Sequence, residues 1–137
     1  LKENGKTVIV HIDLIQGLSG KEIAVDFIHR STDADGIIST KPALIRQARE
    51  LGMCTVMRFF AIDSMAFDNI RKQSETVRPD IIEVLPGLMP RVIRRICEES
   101  RIPVIAGGLI TEREDIMAAL NAGAVSISTT NRKVWFM

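Results

Sequence analysis

The sequence predicts an α/β protein of the TIM-type (β/α) barrel class. Six short apolar runs, rich in β-branched residues, alternate with longer segments that have the apolar spacing of amphipathic helices. The short runs are continuously apolar rather than alternating, which is typical of parallel strands covered on both faces. Polar residues gather at the C-terminal ends of most of these runs, and a barrel brings those ends together around one mouth. A doubly wound sheet is the alternative, and the nearly uniform length of the units favours the barrel.

Three strand–helix units are predicted in the first half of the chain. The predicted strands cover residues 7–13, 35–40 and 54–60, and the predicted helices cover residues 21–29, 42–51 and 64–76. Ser19 and Glu22 have the spacing of a capping box for the first helix. Pro42 begins the second helix and Gly52 ends it. Ser64 is the predicted N-cap of the third helix.

The second half of the chain repeats this scheme. The predicted strands cover residues 80–85, 103–106 and 124–128, the predicted helices cover residues 89–99 and 112–121, and residues 134–137 look like the start of another helix. Pro90 marks one helix start, Thr111 is the predicted N-cap of the next helix, and Gly123 follows its end. Because a complete barrel has eight such units, we expect residues 1–137 to form one partial-barrel domain of about six units that lacks the N-terminal quarter.

The composition excludes several classes of protein. Eighteen Lys and Arg residues stand against seventeen Asp and Glu, so the chain lacks the large positive charge of many nucleic-acid-binding domains. The apolar runs are too short to span a bilayer and no signal segment is recognisable, so we expect a cytoplasmic protein that does not enter membranes. Cys54 and Cys97 lack the spacing of metal ligands, which predicts reduced core thiols and no metal site, and we expect no cofactor either.

The most specific local pattern predicts a phosphate site. Gly107 and Gly108 directly follow the fifth strand, and Ser128 and Thr129 follow the sixth. Glycine lets backbone N–H groups approach an anion closely because it has no Cβ. In many barrels the loops after the last two strands hold a phosphate group. The two loops are therefore expected to converge on one anion.

Polar residues within the apolar strands are candidates for further chemistry. His11 and Asp13 are two positions apart, so they are predicted to share one side of the first strand and to point toward the barrel mouth. An acid–base or metal role for His11 and a hydrogen-bonded polar cap on the core both stay open. Glu83 is a charge inside an apolar strand, and its burial requires a partner. Arg58, on the preceding strand, or a ligand hydroxyl would supply one.

Positive charges concentrate at two other places. Lys41 follows the second strand, where a cation can pair with a phosphate. Arg91, Arg94 and Arg95 share one face of a predicted helix by their i, i+3 and i+4 spacing. This run is either a solvated helix face or a surface for RNA or for a protein partner.

Four blocks of the sequence resemble the glycerol-uptake operon antiterminator family of bacteria, in the same order along the chain. They are His11-Ile-Asp-Leu-Ile-Gln-Gly-Leu18, Asp35-Gly-Ile-Ile-Ser-Thr40, Ile82-Glu-Val-Leu-Pro-Gly87, and Ile105-Ala-Gly-Gly-Leu-Ile110 with Ser128-Thr-Thr-Asn131. The resemblance implies a regulatory TIM barrel that senses glycerol 3-phosphate, a small phosphorylated polyol, and acts on leader mRNA.

By position, the resemblance assigns the phosphate to Gly107, Gly108, Ser128 and Thr129, and it assigns the glycerol end to the three residues Asp13, Arg58 and Glu83. The candidate RNA contacts come from the clustering of positive charge rather than from the resemblance, and they are Arg91, Arg94, Arg95 and Lys41. A homo-oligomer is among the expected assemblies.

Two other classes stay open. One is a barrel enzyme that handles a phosphosugar, such as an isomerase, an aldolase or a phosphodiesterase, with His11, Asp13 and Glu83 as acids and bases. The other is a ligand sensor that acts through a protein partner.

Overall fold

A computed structural model of the protein describes residues 1–18 and 20–137. The chain divides into two compact units, which are residues 1–57 and residues 58–137. The expectation that residues 1–137 form one domain stays a prediction.

The first unit contains two strand–helix repeats and the start of a third strand. Its elements are β1 (Ile9–His11), α1 (Glu22–Ser31), β2 (Gly36–Ser39), α2 (Pro42–Glu50) and the first half of β3 (Cys54–Phe60). β2 runs parallel to both neighbours, with Ile37 opposite Val10 on one side and Thr55 on the other. Glycine is required at the start of β2, because a Cβ at Gly36 would lie 2.1 Å from the carbonyl oxygen of Cys54.

The second unit continues the same scheme. It holds the second half of β3, then α3 (Ser64–Val77), β4 (Ile81–Leu85), α4 (Pro90–Glu99), β5 (Val104–Gly107), α5 (Arg113–Asn121), β6 (Ser126–Ser128) and a terminal 3-10 helix (Arg132–Phe136). β5 runs parallel to β4 and to β6. Its core packs Ile93 of α4, Ala106 of β5, Ala119 of α5 and Val134 of the terminal 3-10 helix against one another.

The strand order confirms the predicted fold class. The strands follow one another in the sheet in the order β1-β2-β3-β4-β5-β6, and they alternate with helices along the chain. This is the arrangement of a partial TIM-type β/α barrel, whereas a doubly wound sheet would reverse its strand order. The predicted bounds of the helices and strands lie within two residues of the observed ones.

Three details at element ends differ from the prediction. Asp63, not Ser64, is the N-cap of α3, and its carboxylate accepts the N–H of Ala66 at 2.7 Å. Glu112, not Thr111, is the N-cap of α5. The final residues form a 3-10 helix rather than the start of an α-helix. The predicted cap Ser19 lies outside the described residues, and α1 has Lys21 at its N-cap position without a side-chain cap bond.

Within residues 1–18 and 20–137, no helix has the length and apolar character needed to cross a membrane. Cys54 and Cys97 are both half-buried, and neither belongs to a disulfide among the residues that the structure describes. Burial, together with the charge of Glu98, raises the pKa of the Cys97 thiol.

Candidate ligand-binding site

A pocket of about 390 Å³ lies in the second unit, where β5 and β6 end. Gly107 is opposite Ser128 in the parallel register, so the loops that follow the two strands begin side by side. Five predicted ligand residues line this pocket, namely Arg58, Glu83, Gly108, Ser128 and Thr129. Six further residues also line the pocket, namely Leu85, Leu109, Ile110, Thr111, Thr130 and Asn131. The structure therefore brings together residues from three strands and two loops that are far apart in the sequence.

The loop after β5 presents backbone N–H groups. Gly108 and Leu109 both have positive φ angles, of 76° and 61°. Leu109 is also 69% exposed, and an apolar side chain held in this disfavoured conformation at a pocket edge is a mark of a functional loop. Within the described part of the chain, no other group accepts the N–H of Gly108 or of Leu109. Successive N–H groups in a turn of this kind form a concavity that suits an anion.

The loop after β6 is tied to the loop after β5. The Thr129 hydroxyl donates to the carbonyl oxygen of Ile110 at 3.0 Å and accepts the N–H of Asn131 at 3.1 Å. Trp135 of the terminal 3-10 helix donates its indole N–H to the carbonyl oxygen of Thr129 at 3.0 Å. The Thr129 hydroxyl is therefore engaged in holding the pocket walls together, which leaves Ser128 as the hydroxyl with the greater freedom to meet a ligand.

A buried ion pair forms another wall of the pocket. Arg58 on β3 donates its Nε–H to the carboxylate of Glu83 on β4, which is only 2% exposed. This contact confirms the expectation that a charge at position 83 requires a partner. Gly107 is required beside it, because a Cβ there would lie 2.8 Å from the nearer Glu83 oxygen. The two adjacent glycines therefore have different structural roles. Gly107 leaves space for the Glu83 carboxylate, and Gly108 adopts the positive φ angle of the turn.

Asp13 lies in the first unit, and the prediction that it belongs to a strand is wrong. It belongs to a 3-10 turn over Ile12–Leu14 rather than to β1. Its carboxylate accepts the Ser39 hydroxyl at 2.8 Å, the Thr40 N–H at 2.7 Å and the Thr40 hydroxyl at 3.0 Å. Burial alone would raise the pKa of Asp13, but these hydrogen bonds and the charge of Lys41 outweigh it, so the pKa lies below its ordinary value. The carboxylate thus joins the end of β1 to the end of β2.

We expect Asp13→Asn to lower the free energy of unfolding at pH 7 by about 1 kcal/mol, because the amide cannot accept all three hydrogen bonds. The pKa of Asp13 is depressed in the folded state, so its stabilisation is full above the unfolded pKa of about 3.9 and is lost as the pH falls through the folded value. Urea unfolding at pH 7 and pH 3 should therefore show a difference that shrinks at pH 3. The exposed Asp33→Asn variant is the control. A difference that persists unchanged at pH 3 would contradict this assignment.

The other predicted residues are not among those that line this pocket. Both ring nitrogens of His11 are buried and have no hydrogen-bond partner among the described residues, so the predicted hydrogen-bonded cap is not formed. Lys41 is exposed at the N-cap position of α2. Arg94 reaches the carbonyl oxygen of Asn121 at 3.4 Å, whereas Arg95 pairs with Glu99. The described residues contain no group of three His, Cys, Asp or Glu side chains arranged to hold a metal ion.

A family model described as glycerol-3-phosphate responsive antiterminator matches residues 1–135. The uncharacterized protein YgcP of Escherichia coli (strain K12) is 47% identical over 135 residues, which cover 98% of this chain and 71% of that protein. The solved glycerol uptake operon antiterminator regulatory protein of Listeria monocytogenes is 37% identical, with a TM-score of 0.93 over 98% of this chain and 73% of its own. A glycerol uptake operon antiterminator-related protein of Thermotoga maritima is 40% identical, with a TM-score of 0.87 over 99% of this chain and 77% of its own.

Two more distant solved structures share only the fold. Orotidine 5'-phosphate decarboxylase from Pyrococcus horikoshii has a TM-score of 0.75 at 19% identity, over 99% of this chain and 69% of its own. An aldolase has a TM-score of 0.71 at 16% identity, over 88% of this chain and 66% of its own. The likeness to these enzymes supports the β/α-barrel class.

Proposed function

Because this chain belongs to the glycerol-3-phosphate responsive antiterminator family, we propose that it senses glycerol 3-phosphate and acts on leader mRNA so that transcription continues past a terminator. The observation that carries the proposal is the pocket at the ends of β5 and β6, which combines unused N–H groups, a hydroxyl and a buried ion pair. At about 390 Å³ it is within the size range of small-molecule sites.

The phosphate group is proposed to lie against the two loops. The N–H groups of Gly108 and Leu109 would donate to its oxygens, and the Ser128 hydroxyl would donate from the opposite loop. Gly107 and Thr129 would act indirectly, the first by accommodating Glu83 and the second by tying the loops. A hydrogen bond to an ionised group is stronger than one between neutral groups, so a few such donors suffice to favour a phosphate.

The glycerol end is proposed to meet the polar groups on the strands. The Glu83 carboxylate would accept hydrogen bonds from the ligand hydroxyls, and Arg58 would hold that carboxylate in place. The proposal requires neither a cofactor nor a metal ion, and elemental analysis of the protein purified without chelator should detect no stoichiometric metal.

RNA is the proposed partner in the cytoplasm, and contact would occur through exposed cationic side chains, among them Arg91, Arg94, Arg95 and Lys41. Such contacts release counterions from RNA, so binding should weaken as the salt concentration rises. Homo-oligomers of this chain would present these side chains more than once.

Calorimetric titration is the direct test of the effector. We expect glycerol 3-phosphate to bind at one site per chain, and glycerol or inorganic phosphate alone to bind at least tenfold more weakly, because each meets only half of the pocket. Equal binding of inorganic phosphate and glycerol 3-phosphate would contradict the proposed ligand.

The competing function is that of an enzyme that converts a phosphosugar. Incubation with candidate substrates distinguishes an enzyme from a sensor, because only an enzyme converts them. Prolonged incubation of the protein with glycerol 3-phosphate or a glycerophosphodiester should leave both compounds unchanged when followed by phosphorus NMR. Conversion of either compound would establish an enzyme instead.

A further inference from the structure

A second, larger pocket lies at the other end of the second unit. It is a groove of about 590 Å³ between α3 and α4, on the side where both helices end and where β4 and β5 begin. We call it the α3–α4 groove. Because Pro79 precedes β4 and Ile102 precedes β5, the groove and the ligand pocket are at opposite ends of the same two strands. No residue lines both pockets, so the groove is a separate site.

The groove has an apolar floor and a rim of arginines. Phe67, Ile70 and Ile96 are among the apolar residues that line the floor of the groove. Arg95 lies over one face of the Phe67 ring, with its guanidinium carbon 4.1 Å from the ring centre. Unstacked bases of single-stranded RNA pack on aromatic rings and on guanidinium planes, and this pair of side chains presents one of each.

The charged residues at the rim of the groove are mostly positive, so the rim favours the binding of an anion. Arg71, Arg78 and Arg101 line the groove together with Glu75 and Glu99. Glu99 is already paired with Arg95 at 3.0 Å. Arg71 and Arg101 are exposed and form no ion pair with any other residue that the structure describes. Three arginines and two glutamates line this groove, and one of the glutamates is already neutralised by Arg95, whereas the whole chain has a net charge of only +1.

From these features we propose that the α3–α4 groove binds a single-stranded segment of RNA. Bases would lie on the Phe67 floor, and backbone phosphates would pair with Arg71 and Arg101 on the rim. The proposal rests on the proposed function, since it names the surface that meets the RNA. β4 begins beside the groove, and Glu83 and Leu85 nearer its other end line the ligand pocket. One strand therefore connects the two sites.

The test measures binding of a fluorescein-labelled oligouridylate of about twelve nucleotides to the full chain over a series of salt concentrations. Arg71→Gln/Arg101→Gln should reduce the slope of log affinity against log salt by about 1.4, because each phosphate contact on a single strand contributes about 0.7. Phe67→Leu keeps an apolar side chain but removes the ring, and it should weaken binding about tenfold. The control Arg30→Gln/Arg46→Gln removes the same charge from two exposed arginines outside the groove, and its slope should match that of the wild type.

Calorimetric binding of glycerol 3-phosphate by each variant verifies that the ligand pocket is intact. Equal loss of slope in the two double variants would overturn the proposal, because net charge alone would then explain the effect. Groove variants that bind RNA normally but change the oligomeric state in sedimentation would also overturn it and would assign the groove to a second copy of the chain. If the wild type binds glycerol 3-phosphate but neither this probe nor leader RNA, the RNA part of the proposed function fails and the groove proposal fails with it.

Discussion

Arg58→Met should lower the free energy of unfolding by about 3 to 5 kcal/mol, because it leaves the Glu83 carboxylate buried without its partner. Glu83 is 2% exposed and lies against Gly107, so water cannot readily replace the guanidinium. Urea unfolding followed by circular dichroism measures the change. The exposed Arg91→Met variant is the control, and its effect should stay within about 0.5 kcal/mol.

The double variant Arg58→Met/Glu83→Met distinguishes two effects. One is leaving the Glu83 carboxylate buried without a partner, and the other is removing the whole ion pair. Removing both charges from a buried site is often close to neutral, so the double variant should recover most of the stability that Arg58→Met loses. A loss below about 1 kcal/mol in Arg58→Met would show that Glu83 is not dependent on this ion pair.

Ser128→Asp should weaken glycerol 3-phosphate binding by roughly a thousandfold, which corresponds to about 4 kcal/mol of repulsion between two negative charges about 4 Å apart near a protein surface. Ser128 is half-buried and lines the pocket, so a carboxylate there would face the proposed phosphate. Calorimetry measures the affinity, and thermal unfolding checks that the variant is folded.

Ser126→Asp is the matched control for this substitution. Ser126 lies two residues earlier on β6, is exposed and does not line the pocket. An exposed carboxylate there would be about 7 Å further along the strand, where the high dielectric constant of water weakens the repulsion, so the change in affinity should stay below about threefold. If Ser128→Asp binds glycerol 3-phosphate as the wild type does, the phosphate lies elsewhere.

The fold was predictable because its signals are local. β3 has the predicted bounds, since five of its seven residues are apolar and Gly52 closely precedes it, which leaves little choice for its start. Pro90 begins α4 as predicted, because proline at the first helical position loses no hydrogen bond. The caps were harder to assign, because Asp63 and Ser64 are adjacent and both residue types cap helices. The cap of α5 depends on Asp115, whose carboxylate accepts the N–H groups of Thr111 and Glu112.

The candidate site was predictable only where the sequence carries a strong local constraint. The glycine pair and the charge at position 83 are such constraints, because a close backbone approach and a buried carboxylate each demand a specific neighbour. The turn at Asp13 depends on hydrogen bonds to Ser39 and Thr40, some 26 residues further along, and no local pattern signals it. Trp135 lies seven residues after the end of β6, and no local pattern signals that its indole holds the Thr129 loop in place.

The central claim is that glycerol 3-phosphate and RNA bind the same protein and influence each other. If the effector favours the RNA-binding state, thermodynamic linkage requires RNA to strengthen effector binding by the same factor. A coupling free energy of about 1 to 3 kcal/mol would appear as a change in affinity of about 5- to 150-fold. The measurement needs the full chain, the leader transcript of the glycerol-utilisation genes and glycerol 3-phosphate.

The most direct measurement is a titration of the protein with this leader RNA, at fixed salt, with and without saturating glycerol 3-phosphate. We predict at least fivefold tighter RNA binding when the effector is present, and an equal gain in effector affinity when RNA is present. The Ser128→Asp variant should bind RNA with the same affinity in both conditions. Equal affinity of the wild-type protein with and without glycerol 3-phosphate would contradict the account.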